Sequence, residues 1–154
     1  MARLRVPLAA ALCAAGLMAA ACSGRGPGEE DEARMARTTL ADLAIKDDVV
    51  GAGAEARVGR RVSVHYTGWL YHPTNEGHRG RSFDSSRSRG EPFVFTLGTG
   101  EVISGWDQGV AGMKVGGRRT LLIPARLAYG AQGAAGLIPP EATLVFDIEL
   151  LDVE

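Results

Sequence analysis

The stretch Ile103-Ser104-Gly105-Trp106-Asp107-Gln108-Gly109-Val110-Ala111-Gly112-Met113 is where the chain changes its apolar period, and its reading decides the fold. Ile103, Trp106, Val110 and Met113 recur at helical spacing and make a single apolar stripe. Ser104 and Asp107 stand three residues apart, which fits a capping box whose hydroxyl and carboxylate each satisfy an orphan N–H. One short helix is expected here.

Around it the period is mostly two. Val62, Val64 and Tyr66 alternate with Ser63, His65 and Thr67, and Phe93, Phe95 and Leu97 alternate with Val94 and Thr96. Leu144, Phe146, Ile148 and Leu150 alternate with Val145, Asp147, Glu149 and Leu151. Such alternation marks antiparallel strands with one face on a core. Arg119 to Ile123 is a further strand, stopped by Pro124, which cannot donate to a ladder. The fold class is α+β, with a sheet folded against the one helix. Periodicity alone goes no further.

The totals narrow the function. A chain of 154 residues holds one domain with a genuine core, and 45% hydrophobic with 23% charged residues is ordinary for a globular protein. The net charge of −1 gives no reason to expect nucleic acid as a partner. The 21 glycines fall in punctuating positions such as Gly98/Gly100 and Gly116/Gly117, as short strands joined by tight turns require. Only Cys13 and Cys22 occur, both near the start, which excludes a disulfide framework or a thiolate metal site in the folded part.

The first residues read as an address. Arg3 and Arg5 precede an apolar run from Val6 to Ala21, shorter than the ~20 residues of a membrane span and lacking a polar face. Residues 1–21 are expected to be a removable signal. Ala19-Ala20-Ala21-Cys22 resembles the bacterial lipobox, with Ala19 where Leu is usual. Cys22 is thus the expected lipidation site, and the only membrane contact expected is through that anchor. Residues 22–40, including SGRGPGEEDEARMAR from Ser23, are rich in Gly and charge and are expected to be a flexible tether, with 41–154 as the domain. The tether is too short and polar to be a long dimerisation helix, and a monomer is expected.

Five segments then identify the domain. Val64-His65-Tyr66-Thr67-Gly68-Trp69-Leu70, Phe83-Asp84-Ser85-Ser86, Gly105-Trp106-Asp107-Gln108-Gly109-Val110, Ala128-Tyr129-Gly130, and Ile138-Pro139-Pro140 through Phe146-Asp147-Ile148-Glu149-Leu150 resemble the FKBP family in order and spacing. The resemblance covers about Val49 to Glu154. It implies an antiparallel half-barrel sheet wrapped around one short helix, with an apolar pocket for a prolyl ring between them.

By that resemblance Trp106 is the pocket floor, lined by Tyr66, Phe83, Phe93, Val102, Ile103 and Phe146. Asp84 and Tyr129 are the polar groups near the bound amide, with Tyr129 the donor to substrate. Gly130 to Pro140 is a loop over the pocket that contributes Leu137 and Ile138. Ala134 and Leu137 replace a common His and Ile of the family, a change expected to touch substrate preference. The segment from Tyr71 to Ser82 is longer than in compact members.

The activity implied is peptidyl-prolyl cis-trans isomerisation on proline-containing exported polypeptides in the periplasm, with the outer membrane favoured for the anchor. FK506 and rapamycin are the implied macrolide ligands, and no cofactor or metal is implied. A non-catalytic chaperone using the same groove is the competing reading. Taken singly, the aromatics could be plain core and Asp84 a turn cap. His65 reads as a solvated strand residue. His72 and His78 share a loop but lack regular ligand spacing. No Walker, G-x-G-x-x-G or G-x-S-x-G sequence occurs.

Overall fold

The computed structural model describes residues 27–37, 40–134 and 136–154. The signal at 1–21 and Cys22 lie outside the described residues. Six strands form one antiparallel sheet: β1 (Ala44–Val49), β2 (Arg61–Tyr71), β3 (Arg79–Ser85), β4 (Phe93–Thr96), β5 (Arg118–Ile123) and β6 (Leu144–Val153). The order is β1-β5-β6-β2-β3, and β4 also pairs with β2. Strand β2 is the hub. One edge pairs with β6 along most of its length, while the other is shared, Arg61–Val64 with β4 and Thr67–Tyr71 with β3. The helix α2 (Ser86–Arg89) bridges the two partners. The sheet is not closed into a barrel.

Burial follows the expected alternation along β2, whose even-numbered residues from Val62 to Leu70 are buried and whose odd-numbered ones are half-buried or exposed. In β6 the pattern starts with three buried residues, so Val145 is inside as well. Strands β1 and β3 carry no such pattern, being exposed throughout or half-buried, and they escape a reading based on period. The loop expected to run from Tyr71 to Ser82 is correspondingly shorter, because β3 begins at Arg79.

The helix α3 (Ser104–Val110) lies where the period changes, but the capping box does not form. Ile103 is the N-cap, and no side chain caps it. Asp107 instead accepts from the N–H groups of Gly98 (2.8 Å) and Gly100 (3.1 Å), tying the turn after β4 to the helix. Two turn amides with no ladder partner compete better for the carboxylate than the helix end does. Gly105 and Gly109 let the helix approach the sheet, since a Cβ there would stand 2.4 Å from Ile123 Cγ2 and 2.5 Å from Leu121 Cδ1.

The expected tether is also different. Pro27–Ala36 forms a helix, α1, with Ala33 and Ala36 buried against the domain. The Ala36 carbonyl accepts from Thr143 N–H at 2.7 Å, and Glu32 accepts from Arg81 N–H at 2.8 Å. Two alanines and one carboxylate dock a segment whose composition alone is that of a solvated chain.

Candidate functional site

The site is built around Trp106, which α3 holds against the concave side of the sheet, 2% exposed. Its ring meets Tyr66 of β2 at 4.8 Å, Phe146 of β6 at 5.3 Å and Phe93 of β4 at 5.9 Å, all edge-to-face. Phe83 of β3 stands edge-on to Phe146 at 5.6 Å. Edge-to-face pairing suits the positive rims and negative faces of aromatic rings. Four strands and one helix thus each deliver one ring to a common hollow. Gly68 makes the room: a Cβ there would sit 2.6 Å from Phe146 and 2.7 Å from Phe83.

The hollow is lined by Tyr66, Phe83, Asp84, Phe93, Trp106, Tyr129 and Phe146, and its free volume is only about 10 Å³. A larger cavity, about 620 Å³, lies on the other face of the sheet around Thr67, Trp69, Arg118 and Asp147. Ion pairs such as Arg79–Asp147 and Arg87–Glu149 cross that second cavity, so its size does not make it a place for an apolar ring.

Polar groups stand at one side of the hollow. Tyr66 donates its hydroxyl hydrogen to Asp84, and Arg89 ion-pairs with Asp84 while donating to the Tyr66 hydroxyl at 3.0 Å. Burial, and then the Asp84 carboxylate, push the Tyr66 phenol up to about 12. Tyr129 is raised too, by burial first and then by the negative potential of Tyr66 and Asp84. Its hydroxyl has no hydrogen-bond partner among the described residues, and so is free to donate. Arg89 is raised chiefly by its bond to Tyr66.

The Ser85-Ser86 pair fixes this arrangement. Ser86 is fully buried, its Oγ accepting from Tyr66 N–H at 2.8 Å, while Ser85 Oγ donates to the Tyr66 carbonyl at 3.2 Å. His65, expected to be solvated, is half-buried with Nδ1 2.9 Å from the same Ser86 hydroxyl.

Five of the residues singled out as catalytic meet here, together with Phe83 and Phe93. Four others do not line the hollow. Val102, Ile103 and Ile138 are buried in the core behind it, and Leu137 is 36% exposed on the Gly-rich loop. Arg89 is the residue that sequence reading missed. Its only signal was position, five residues after Asp84 and across a one-turn helix. Among the described residues no group of three His, Cys, Asp or Glu side chains is placed to hold a metal, and His78 stacks on Tyr71 instead.

A half-wrapped sheet thus holds a hollow with five aromatic rings for walls and Asp84 and the free Tyr129 hydroxyl at its rim. A family model described as FKBP-type peptidyl-prolyl cis-trans isomerase matches residues 53–151, and the chain belongs to that family and enzyme class. An FK506-binding protein of Neisseria meningitidis serogroup A is 51% identical over 114 residues, covering 74% of this chain and 98% of the relative. The peptidyl-prolyl cis-trans isomerase FPR2 of Saccharomyces cerevisiae is 57% identical over 100 residues, 65% of this chain and 70% of the relative. The crystal structure of AtFKBP13 superposes with a TM-score of 0.64 at 44% identity, covering 75% of this chain and 96% of that one.

Proposed function

We propose that this isomerase accelerates X–Pro rotation in exported polypeptides, assisting their folding, and that the hollow over Trp106 holds the prolyl ring. The observation that carries the reading is the convergence of Tyr66, Phe83, Phe93, Trp106 and Phe146 beside the unpartnered Tyr129 hydroxyl. Rotation about an X–Pro amide removes its resonance, a barrier of ~18–20 kcal/mol, and breaks no bond. The twisted amide carries less negative charge on its oxygen than the planar one, so water favours the planar state. Aromatic walls that exclude water remove that preference and select the twisted form. Tyr129 donates to the bound amide, and Asp84, held by Tyr66 and Arg89, polarises the rim.

Export rests on the sequence alone: the apolar run from Val6 to Ala21 and the lipobox-like Ala19-Ala20-Ala21-Cys22. The mature enzyme is a monomer held at the periplasmic side of a membrane, the outer one favoured, by lipid on Cys22. The test is turnover of a short proline peptide by the full mature chain, with FK506 as competitor. Catalysis that FK506 abolishes is the expected result; a folded protein without turnover reduces the groove to a chaperone's grip. Mass spectrometry of the mature N-terminus separates a lipidated Cys22 from a free end.

A further inference from the structure

We infer that helix α1 positions the loop over the hollow through a latch made by Glu32 and Arg81, and thereby tunes which residue the enzyme prefers before proline. The inference rests on the reading of the hollow as the prolyl site. Arg81 lies on β3, two residues before Phe83, and its guanidinium donates to the Leu137 carbonyl at 3.3 Å. Glu32 of α1 accepts from Arg81 N–H at 2.8 Å and stands 3.5 Å from its Nε. Glu29 and Ala33 of the same helix face Leu137, Ile138 and Pro139 across a cleft of about 40 Å³. Beyond Leu137 the loop closes on itself, Ala134 and Ile138 exchanging both backbone hydrogen bonds at 2.9 Å. Gly133 N–H then donates to the Tyr129 carbonyl at 3.2 Å. A continuous chain of contacts therefore runs from α1 through Arg81 to the residue whose hydroxyl faces substrate.

The Arg81 guanidinium ties the exposed Leu137 turn to β3 beside the turn's own backbone bonds, and Glu32 is the anion that orients that guanidinium. The turn joins Tyr129 through Ala134 and Gly133, so its position bears on the groups that flank a bound proline. Arg81 is a positioning residue: it touches the loop and does not line the hollow.

The experiment compares the full chain with Arg81→Ala, Arg81→Lys and Glu32→Gln. Two readouts are taken: hydrogen exchange of the amides at Ala134, Leu137 and Ile138, and KM and kcat on proline peptides carrying Ala, Leu or Phe before proline. Arg81→Ala is expected to speed loop exchange and raise KM by about threefold to tenfold, the size of one net hydrogen bond, with kcat little changed. The peptides should also be discriminated less sharply. Arg81→Lys should recover part of the effect, and Glu32→Gln should lose part. Exchange and KM indistinguishable from the parent in folded Arg81→Ala and Glu32→Gln proteins would overturn the latch. A parent that turns over no peptide, with loop exchange still responding to Arg81, would overturn the prolyl site and leave the latch standing.

Discussion

At the scale of single residues, Tyr129 and Tyr66 carry similar side chains into opposite employment. Tyr66 is tied to Asp84 and Arg89, whereas the Tyr129 hydroxyl has no partner among the described residues. Replacing Tyr129 with Phe should therefore lower kcat/KM on a proline peptide by about threefold to tenfold, since one net hydrogen bond is lost. The thermal midpoint should hardly move, because no internal bond is removed; unchanged kcat/KM would take Tyr129 out of the mechanism. The phenols also predict a pH profile. Both are raised, Tyr66 to about 12, so neither ionises between about pH 6 and about pH 9, and turnover should be flat there. An unfolded phenol titrates near pH 10, lower than the folded one. The stability these neutral groups contribute is thus complete below about pH 10 and lost as pH rises toward the folded value. Urea midpoints measured from pH 8 to pH 11 should fall only above about pH 10, and Tyr66→Phe should flatten that fall.

At the scale of elements, the aromatic hollow exists because β2 omits a side chain. Gly68 faces inward between Tyr66 and Leu70, and Phe83 and Phe146 occupy the space its side chain would take. Gly68→Ala should push both rings, at an overpacking cost of about 1–3 kcal/mol. Catalysis should fall by more than that loss of stability explains, and a fully active Gly68→Ala protein would show that ring placement does not limit turnover. The strands with one buried face and the helix α3 were legible from period because burial imposes it. Strands β1 and β3 were not, since an edge strand exposed throughout, like β1, or half-buried on both faces, like β3, leaves no alternation to read. Asp107 was legible as a hydrogen-bonding carboxylate but not as the partner of Gly98 and Gly100, because that choice depends on a turn folding back over the helix.

At the scale of the whole molecule, α1 extends the domain beyond the family match, which begins at residue 53. Ala36 is completely buried, and its carbonyl holds Thr143 N–H just before β6. Ala36→Glu would force a carboxylate into that contact, which costs several times the stability of an exposed substitution. The thermal midpoint of the protein should drop by several degrees, and an unaltered midpoint would mean that α1 is not docked in solution. The core is otherwise continuous from Val62 on β2 to Leu150 on β6, so the site's floor and the fold's centre are the same residues. Trp106 is therefore a poor position for a test by truncation, since a buried Trp→Ala costs about 3–5 kcal/mol in stability before any effect on chemistry.

The order of residues by itself determined the strands with a buried side and the helix α3, and its resemblance to a family pointed to the seven side chains that line the hollow together with four that do not. Those features follow from local period and from five ordered motifs, and both survive in one dimension. Tertiary structure alone decided that Arg89 closes on Asp84 and Tyr66, that Val102 and Ile138 lie behind the hollow, and that residues 27–36 dock. Each depends on which surfaces meet across long sequence separations, where a charged or small side chain takes its role from its neighbour and not from its own pattern.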